Sequence, residues 1–241
     1  MNPQGLVAAV AGSGIDLTSM LDEVHEWIPF RAGGESGVSH PDACGAPAAP
    51  GVAGHACVFL RGCCGLREVI VQQGRFHVYE GFDFARCVRP LDTLYEMGVR
   101  TIVFTNAAGG LRPEMEPGQL CAATEVIPWP FRAFALPEAL RTEFTVAGCD
   151  HRGPYMWMHG PCYETRSEVQ ALRRAGGATV GMSAATELAR CQELGIAAGV
   201  VSCITNNCCA TRPLSHEHVL KTAAEASVRL AQVLRAFFLH G

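Results

Sequence analysis

Residues 74–81 read "GRFHVYEG", directly after the apolar run "VIV" at 69–71. Arg75, His77, Tyr79 and Glu80 thus stand within six residues at the end of a strand-like segment. A guanidinium can hold two oxygens of a phosphate at once. An imidazole titrates near neutrality, and a phenol can reach a sugar hydroxyl. The group is either a solvated loop or an anion site with sugar contacts beside it.

Four other strand ends carry chemistry of the same kind. "AGSGID" at 11–16 offers glycine turns, the Ser13 hydroxyl and adjacent amides, a combination that can cradle phosphate. "TNAAGG" at 105–110 has side chains small enough for a flat ligand to approach the backbone. "GPCYET" at 160–165 sets Tyr163, which can stack on a base, beside Glu164, which can accept from a base N–H. "SCITNN" at 202–207 ends on Asn206 and Asn207, and an amide can both donate to and accept from a heterocycle edge. Taken singly, each has an ordinary reading. Gly, Ser and Asn are turn residues, and a carboxylate such as Glu164 suits a helix start. The five together define a pattern, because open α/β sheets bind ligands at strand ends.

The elements that must position these residues alternate along the chain. Strands are expected at 6–12, 55–63, 67–74, 99–110, 119–128, 153–160, 178–183 and 196–206. Helices are expected at 84–98, 165–176, 184–195 and from Ser215 onward, with Pro90 expected to split or delay the first. A short helix is expected at "LPEALRTEF", 136–144. This order predicts an α/β fold in one domain spanning 1–241, with a central mixed β-sheet flanked by helices. The stretch 31–54 is rich in Gly and Pro and reads as a loop.

Composition narrows the function classes. The chain has 241 residues, 49% of them hydrophobic, enough for one sizeable core. A net charge of −4 gives no general basic field for nucleic acid, so any anion site must be local. No apolar run approaches the roughly 18–20 residues needed to span a bilayer. The start "MNPQGLVAAVAGSG" lacks the basic flank of a secretion signal, so a reduced, cytoplasmic protein is expected. Twelve cysteines are then read mainly as small buried hydrophobes. The pairs Cys63–Cys64 and Cys208–Cys209 have no metal-ligand spacing, and no metal site is expected.

The segments "GSG", "GHACVFLRG", "QGRFHVYEG", "TNAAGGL", "GPCYET", "VGMS", "ITN" and "PLSHEHV" resemble, in this order, the motifs of the trimeric class of purine nucleoside phosphorylases. The similarity runs from about residue 6 to about residue 225. It implies cleavage of 6-oxopurine nucleosides by inorganic phosphate as co-substrate, without metal or organic cofactor, in a homotrimer. Carried over motif by motif, the resemblance assigns phosphate to Ser13, His55, Arg75, Ser183 and the backbone at Ala107. It assigns ribose to Tyr79, Met182 and His216, and places His77 beside phosphate and sugar. Tyr163 would pack against the nucleoside, and Glu164 and Asn206 would hold the base. His77, Glu164 and Asn206 are the candidates for catalysis. Glu80 reads as a positioning group for His77 or His55, since a carboxylate beside phosphate would repel it.

The chain departs from the family after "PGQL", where "CAATEVIPWPFRAFALPEAL" is shorter than the insertion that brings a neighbouring subunit's Phe over the sugar. Phe131 and Phe134 are the candidates to replace it. Two other readings stand beside the main one: a methylthioadenosine phosphorylase-like enzyme, and a catalytically weak relative that binds nucleoside or phosphate.

Overall fold

The computed structural model describes residues 5–30, 57–129, 136–137, 139–210 and 216–240. Among the described residues, ten strands form one continuous sheet, accompanied by four α-helices. The strands are β1 (Leu6–Ala11), β2 (Glu23–Pro29), β3 (Val58–Cys64), β4 (Arg67–Gln73), β5 (Val99–Gly110), β6 (Leu120–Pro128), β7 (Leu140–Arg141), β8 (His151–Trp157), β9 (Thr179–Gly181) and β10 (Ala197–Asn207). The helices are α1 (Phe84–Glu96), α2 (Arg166–Arg174), α3 (Ala185–Leu194) and α4 (His216–His240).

From one edge the order is β2-β3-β4-β1-β5-β9-β8-β6-β10, and β10 then returns to pair with β5. Five strands therefore close into a ring, and β5 serves both the ring and the open part of the sheet. The sheet is mixed: β1 runs parallel to β4 and β5, and β5 parallel to β10, whereas β9 and β6 bring antiparallel pairs.

Strand β1 shows why the apolar runs are continuous. "LVAAVA" is covered on both faces, so it has no reason to alternate. Ala8, Val10, Ile70, Ile102 and Phe104 meet Leu91 and Leu94 of α1 and Leu188 of α3 on one face. Val7, Ala9, Val69, Val71 and Val103 meet Ala223, Leu230 and Leu234 of α4 on the other. Helix α1 begins where the Asp83 carboxylate accepts from the Arg86 amide at 2.8 Å. It then runs through Pro90 without a break, contrary to the expected split.

Two elements differ from the sequence reading. The described part of "LPEALRTEF" holds a strand in place of a helix: Leu140 and Arg141 pair with Val126 and Glu125. Leu140 is fully buried there, and this tertiary pairing overrides the helical propensity of Leu, Glu and Ala. Strand β2, "EVHEWIP", carries no buried face and, among the described residues, pairs only with β3, so no apolar pattern announces it. Its charges and its register shift between Val24 and Glu26 suit an edge strand, where they discourage further pairing.

No helix among the described residues is long and apolar enough to cross a membrane. The expectations for the 31–54 loop, for Phe131 and Phe134, for Ser215, for His55 and for the His216 side chain lie outside the described residues.

Helix α4 offers a direct test of this packing. Leu230 is fully buried on its inner face and Val228 is 60% exposed on its outer one. Leu230→Ala is expected to cost about 2–5 kcal/mol in chemical denaturation, and Val228→Ala to stay within about 0.5 kcal/mol of the parent.

Candidate active site

A cavity of about 500 Å³ opens where strands from both parts of the sheet end. Ser13 enters it after β1, His77 and Tyr79 after β4, Ala107 from β5, Tyr163 and Glu164 after β8, Met182 and Ser183 after β9, and Asn206 from β10. Nine of the residues singled out in the sequence thus share one hollow, though they span positions 13 to 206. A shallower depression of about 630 Å³ beside Arg112, Arg173 and Arg174 contains none of them.

Close approach of β1 to β5 sets the first wall. A Cβ on Gly12 would lie 2.8 Å from the Asn106 Cα, so only glycine lets the chain carry Ser13 across that strand end.

His77 is the best-anchored polar group. Its ring Nδ1 lies 3.2 Å from Glu80 Oε1, and the same oxygen accepts from the His77 backbone amide at 2.8 Å. The carboxylate fixes the proton on Nδ1 and leaves Nε2 as an acceptor for the Ser183 hydroxyl, 3.0 Å away. Burial holds the imidazole pKa below its usual value, with Arg75 adding to the effect and Glu80 opposing it. The ring is therefore neutral near pH 7, and it stacks on Tyr79 at 4.7 Å. Burial pushes the Tyr79 phenol up to about 12, so it remains a donor. Glu80 acts as the positioning carboxylate of this stretch.

Arg75 stands behind the cavity wall. It is 1% exposed and does not line the cavity. Its Nε lies 3.2 Å from Glu187 Oε1, a buried carboxylate on α3 that the sequence reading did not single out. The second Glu187 oxygen accepts from the Ala184 amide at 2.9 Å. Ala184 has φ +73°, a left-handed conformation that costs a non-glycine residue about 1–2 kcal/mol. Glu187 thus clamps the turn that presents Ser183, and the Ser183 amide is held in addition by the Tyr155 hydroxyl at 3.2 Å. An acidic residue in the first turn of a helix reads as a cap, so nothing in the sequence distinguished Glu187 as a buried counter-ion.

The base end resolves the two ordinary readings of Glu164 and Asn206. Thr165 caps α2, and the helix-start carboxylate is Glu168, which accepts from the Thr165 amide at 2.7 Å. Glu164 is left to face the cavity. Its Oε1 is buried with no hydrogen-bond partner among the described residues, and burial raises its carboxyl pKa. The turn amide is Asn207, which donates to the carbonyls of Arg112, Pro113 and Met115. Asn206 lines the cavity instead, with Oδ1 accepting from Thr205 at 3.1 Å and Nδ2 donating to the Cys208 sulfur at 3.4 Å. Thr205 and Cys208 were also missed, the first because it lies inside a strand and the second because it reads as a core cysteine.

A family model described as the phosphorylase superfamily matches residues 38–146 and 150–239. The chain belongs to that superfamily. Among its phosphorylase relatives, a purine nucleoside phosphorylase of Mycobacterium leprae is 34% identical over 199 residues, covering 77% of this chain and 74% of the relative. Purine nucleoside phosphorylase 1 of Geobacillus stearothermophilus is 30% identical over 210 residues, 77% of each chain. A solved purine nucleoside phosphorylase of Schistosoma mansoni, in complex with adenosine, superposes on 95% of this chain and 88% of its own, with TM-score 0.73 and 26% identity. A schistosomal phosphorylase in complex with hypoxanthine gives TM-score 0.72 at 25% identity, with the same coverage. The fold and family expected from the motifs are both found. Among the described residues, no cluster of His, Cys, Asp or Glu is arranged to hold a metal ion.

In this phosphorylase the clamp predicts a distinctive stability pattern. Glu187→Gln should cost about 3–5 kcal/mol in denaturation, because it leaves the Arg75 charge buried without its carboxylate. The double variant Arg75→Met/Glu187→Leu should recover much of that loss. Equal losses in the single and double variants would show that the ion pair is not what matters.

Proposed function

We propose that the protein splits 6-oxopurine nucleosides such as inosine and guanosine with inorganic phosphate, releasing the free base and ribose 1-phosphate. The observation that carries this reading is Glu164, a half-buried carboxylate whose Oε1 is buried without a hydrogen-bond partner among the described residues, in the same cavity as Asn206. A 6-oxopurine supplies the N1–H that such an oxygen lacks. A 6-aminopurine has no N1–H and would leave the carboxylate desolvated and unpaired, which is a strong basis for rejection. The names of the relatives support purine nucleosides as the substrate class.

The chemistry follows from the residues around the cavity. Phosphate is a weak nucleophile, so the bond between C1′ and N9 must largely break before the new one forms. Negative charge then grows on the purine, and a hydrogen bond from Asn206 at N7 lowers the cost of its departure. A phosphate oxygen closes on C1′, and in net balance the hydrogen of hydrogenphosphate ends on the base. His77, neutral and with Nε2 accepting from the Ser183 hydroxyl, would fix Ser183 at the edge of the phosphate site. Ser13, Ser183 and the backbone at Ala107 would hold its other oxygens, supplying proximity. Arg75 would add positive potential from behind the wall. Tyr79 and Met182 would face ribose, and Tyr163 would cover the nucleoside. No cofactor beyond phosphate, a homotrimeric assembly and a cytoplasmic location complete the proposal.

Base release should be measured from inosine, guanosine, adenosine and methylthioadenosine, with and without phosphate. Phosphate-dependent release from the two oxopurine nucleosides is expected, and its absence overturns the proposal. Glu164→Gln should lower kcat/KM for inosine by roughly 10–150-fold, the worth of a hydrogen bond to a charged group. Because burial raises the Glu164 carboxyl above its ordinary value of 4.5, oxopurine affinity should weaken on acidification before pH reaches 4.5, as the carboxylate takes up a proton. A pH profile of hypoxanthine binding, flat down to pH 4.5, would remove Glu164 from the site.

A further inference from the structure

Cys208 occupies a place in the cavity that the reaction described above does not use. Its amide donates to the Gly110 carbonyl at 2.9 Å, which fixes its backbone on the end of β5. Its side chain lines the cavity. The sulfur fills the space above Gly109, where any Cβ would collide with it. From there it accepts the Asn206 Nδ2–H at 3.4 Å. The Glu164 carboxylate is close enough to act on it electrostatically. Cys208 is thus coupled to both groups assigned to the base.

The order of atoms on a purine gives this placement a meaning. Position 6 lies between N1 and N7. If Glu164 takes N1 and Asn206 takes N7, a group coupled to both stands beside the 6-substituent. The inference rests on the oxopurine reading proposed above. Burial, reinforced by the Glu164 charge, pushes the thiol up to about 12, so the sulfur keeps its hydrogen. With a lone pair engaged by Asn206, that hydrogen is the part of the thiol left to donate.

We propose that Cys208 is a specificity-determining residue for the purine 6-position: its sulfur orients the Asn206 amide while its S–H donates to a 6-oxo oxygen. A 6-amino group would set its own N–H against the S–H and the Asn206 amide hydrogens, and gains nothing from the thiol. Cys208 thereby adds discrimination to that supplied by Glu164.

The test compares the parent with Cys208→Ser and Cys208→Val. Serine keeps one donor and one acceptor. Valine fills the space above Gly109 with neither. The reading is the ratio of kcat/KM for inosine over adenosine, together with the ratio of hypoxanthine to adenine affinity by calorimetry. Cys208→Val should lower both ratios about fivefold or more, the worth of one neutral hydrogen bond, and Cys208→Ser should hold them within about twofold. A purely structural defect would depress both substrates together and leave the ratios in place. Unchanged ratios in Cys208→Val, or the same shift in Cys208→Ser, overturn the assignment. If the parent releases no base from either nucleoside, the phosphorolysis reading fails, and the affinity ratios of the two free bases still decide the role of Cys208.

Discussion

The buried ion pair between Arg75 and Glu187 ties the cavity to the rest of the molecule. Two opposite charges withdrawn from water attract strongly, but only good geometry repays their desolvation. Here one carboxylate does two tasks. One oxygen faces the guanidinium, and the other holds the amide of a left-handed alanine. The pair therefore joins the segment after β4 to the turn between β9 and α3. Those two segments carry His77 and Ser183, which meet at 3.0 Å. It also moderates the site's electrostatics: the guanidinium field reaching the cavity is reduced by its own counter-ion.

A second regularity is the division of work between neighbours. Asn207 holds the turn so that Asn206 need not, and Thr165 with Glu168 starts α2 so that Glu164 need not. In both places a structural polar residue of the same type as the cavity residue lies close by in sequence, directly adjacent for Asn207 and one helical turn on for Glu168. The structural neighbour saturates the local backbone donors and acceptors. The side chain beside it keeps valences open toward a ligand.

This arrangement bears on what could be read from sequence. Strands β1, β4, β5 and β10 were legible because burial on both faces demands long apolar runs. The cavity residues were legible because polar groups recur where those runs stop. Strand β2 was not, since an exposed edge strand is held by pairing with β3 and not by its own pattern. Strand β7 was hidden beneath helical propensity. Glu187 resembled a cap, Cys208 resembled core, and the retreat of Arg75 behind the wall depends on a partner more than a hundred positions away. Each omission concerns a residue whose meaning is set by what faces it in space.

The cavity draws its walls from residues 13 to 219, including β5, β9 and β10 of the closed five-stranded ring. No short contiguous fragment contains it, so it comes into existence only when distant parts of the chain have met. Such long-range pairings make assembly slow relative to locally connected folds. They also make occupancy a global matter. A ligand that fills the cavity favours the whole native state over the unfolded one, by about 2.7 kcal/mol at a hundredfold excess over its Kd. Substrate supply and resistance to degradation are thereby coupled in the same molecule.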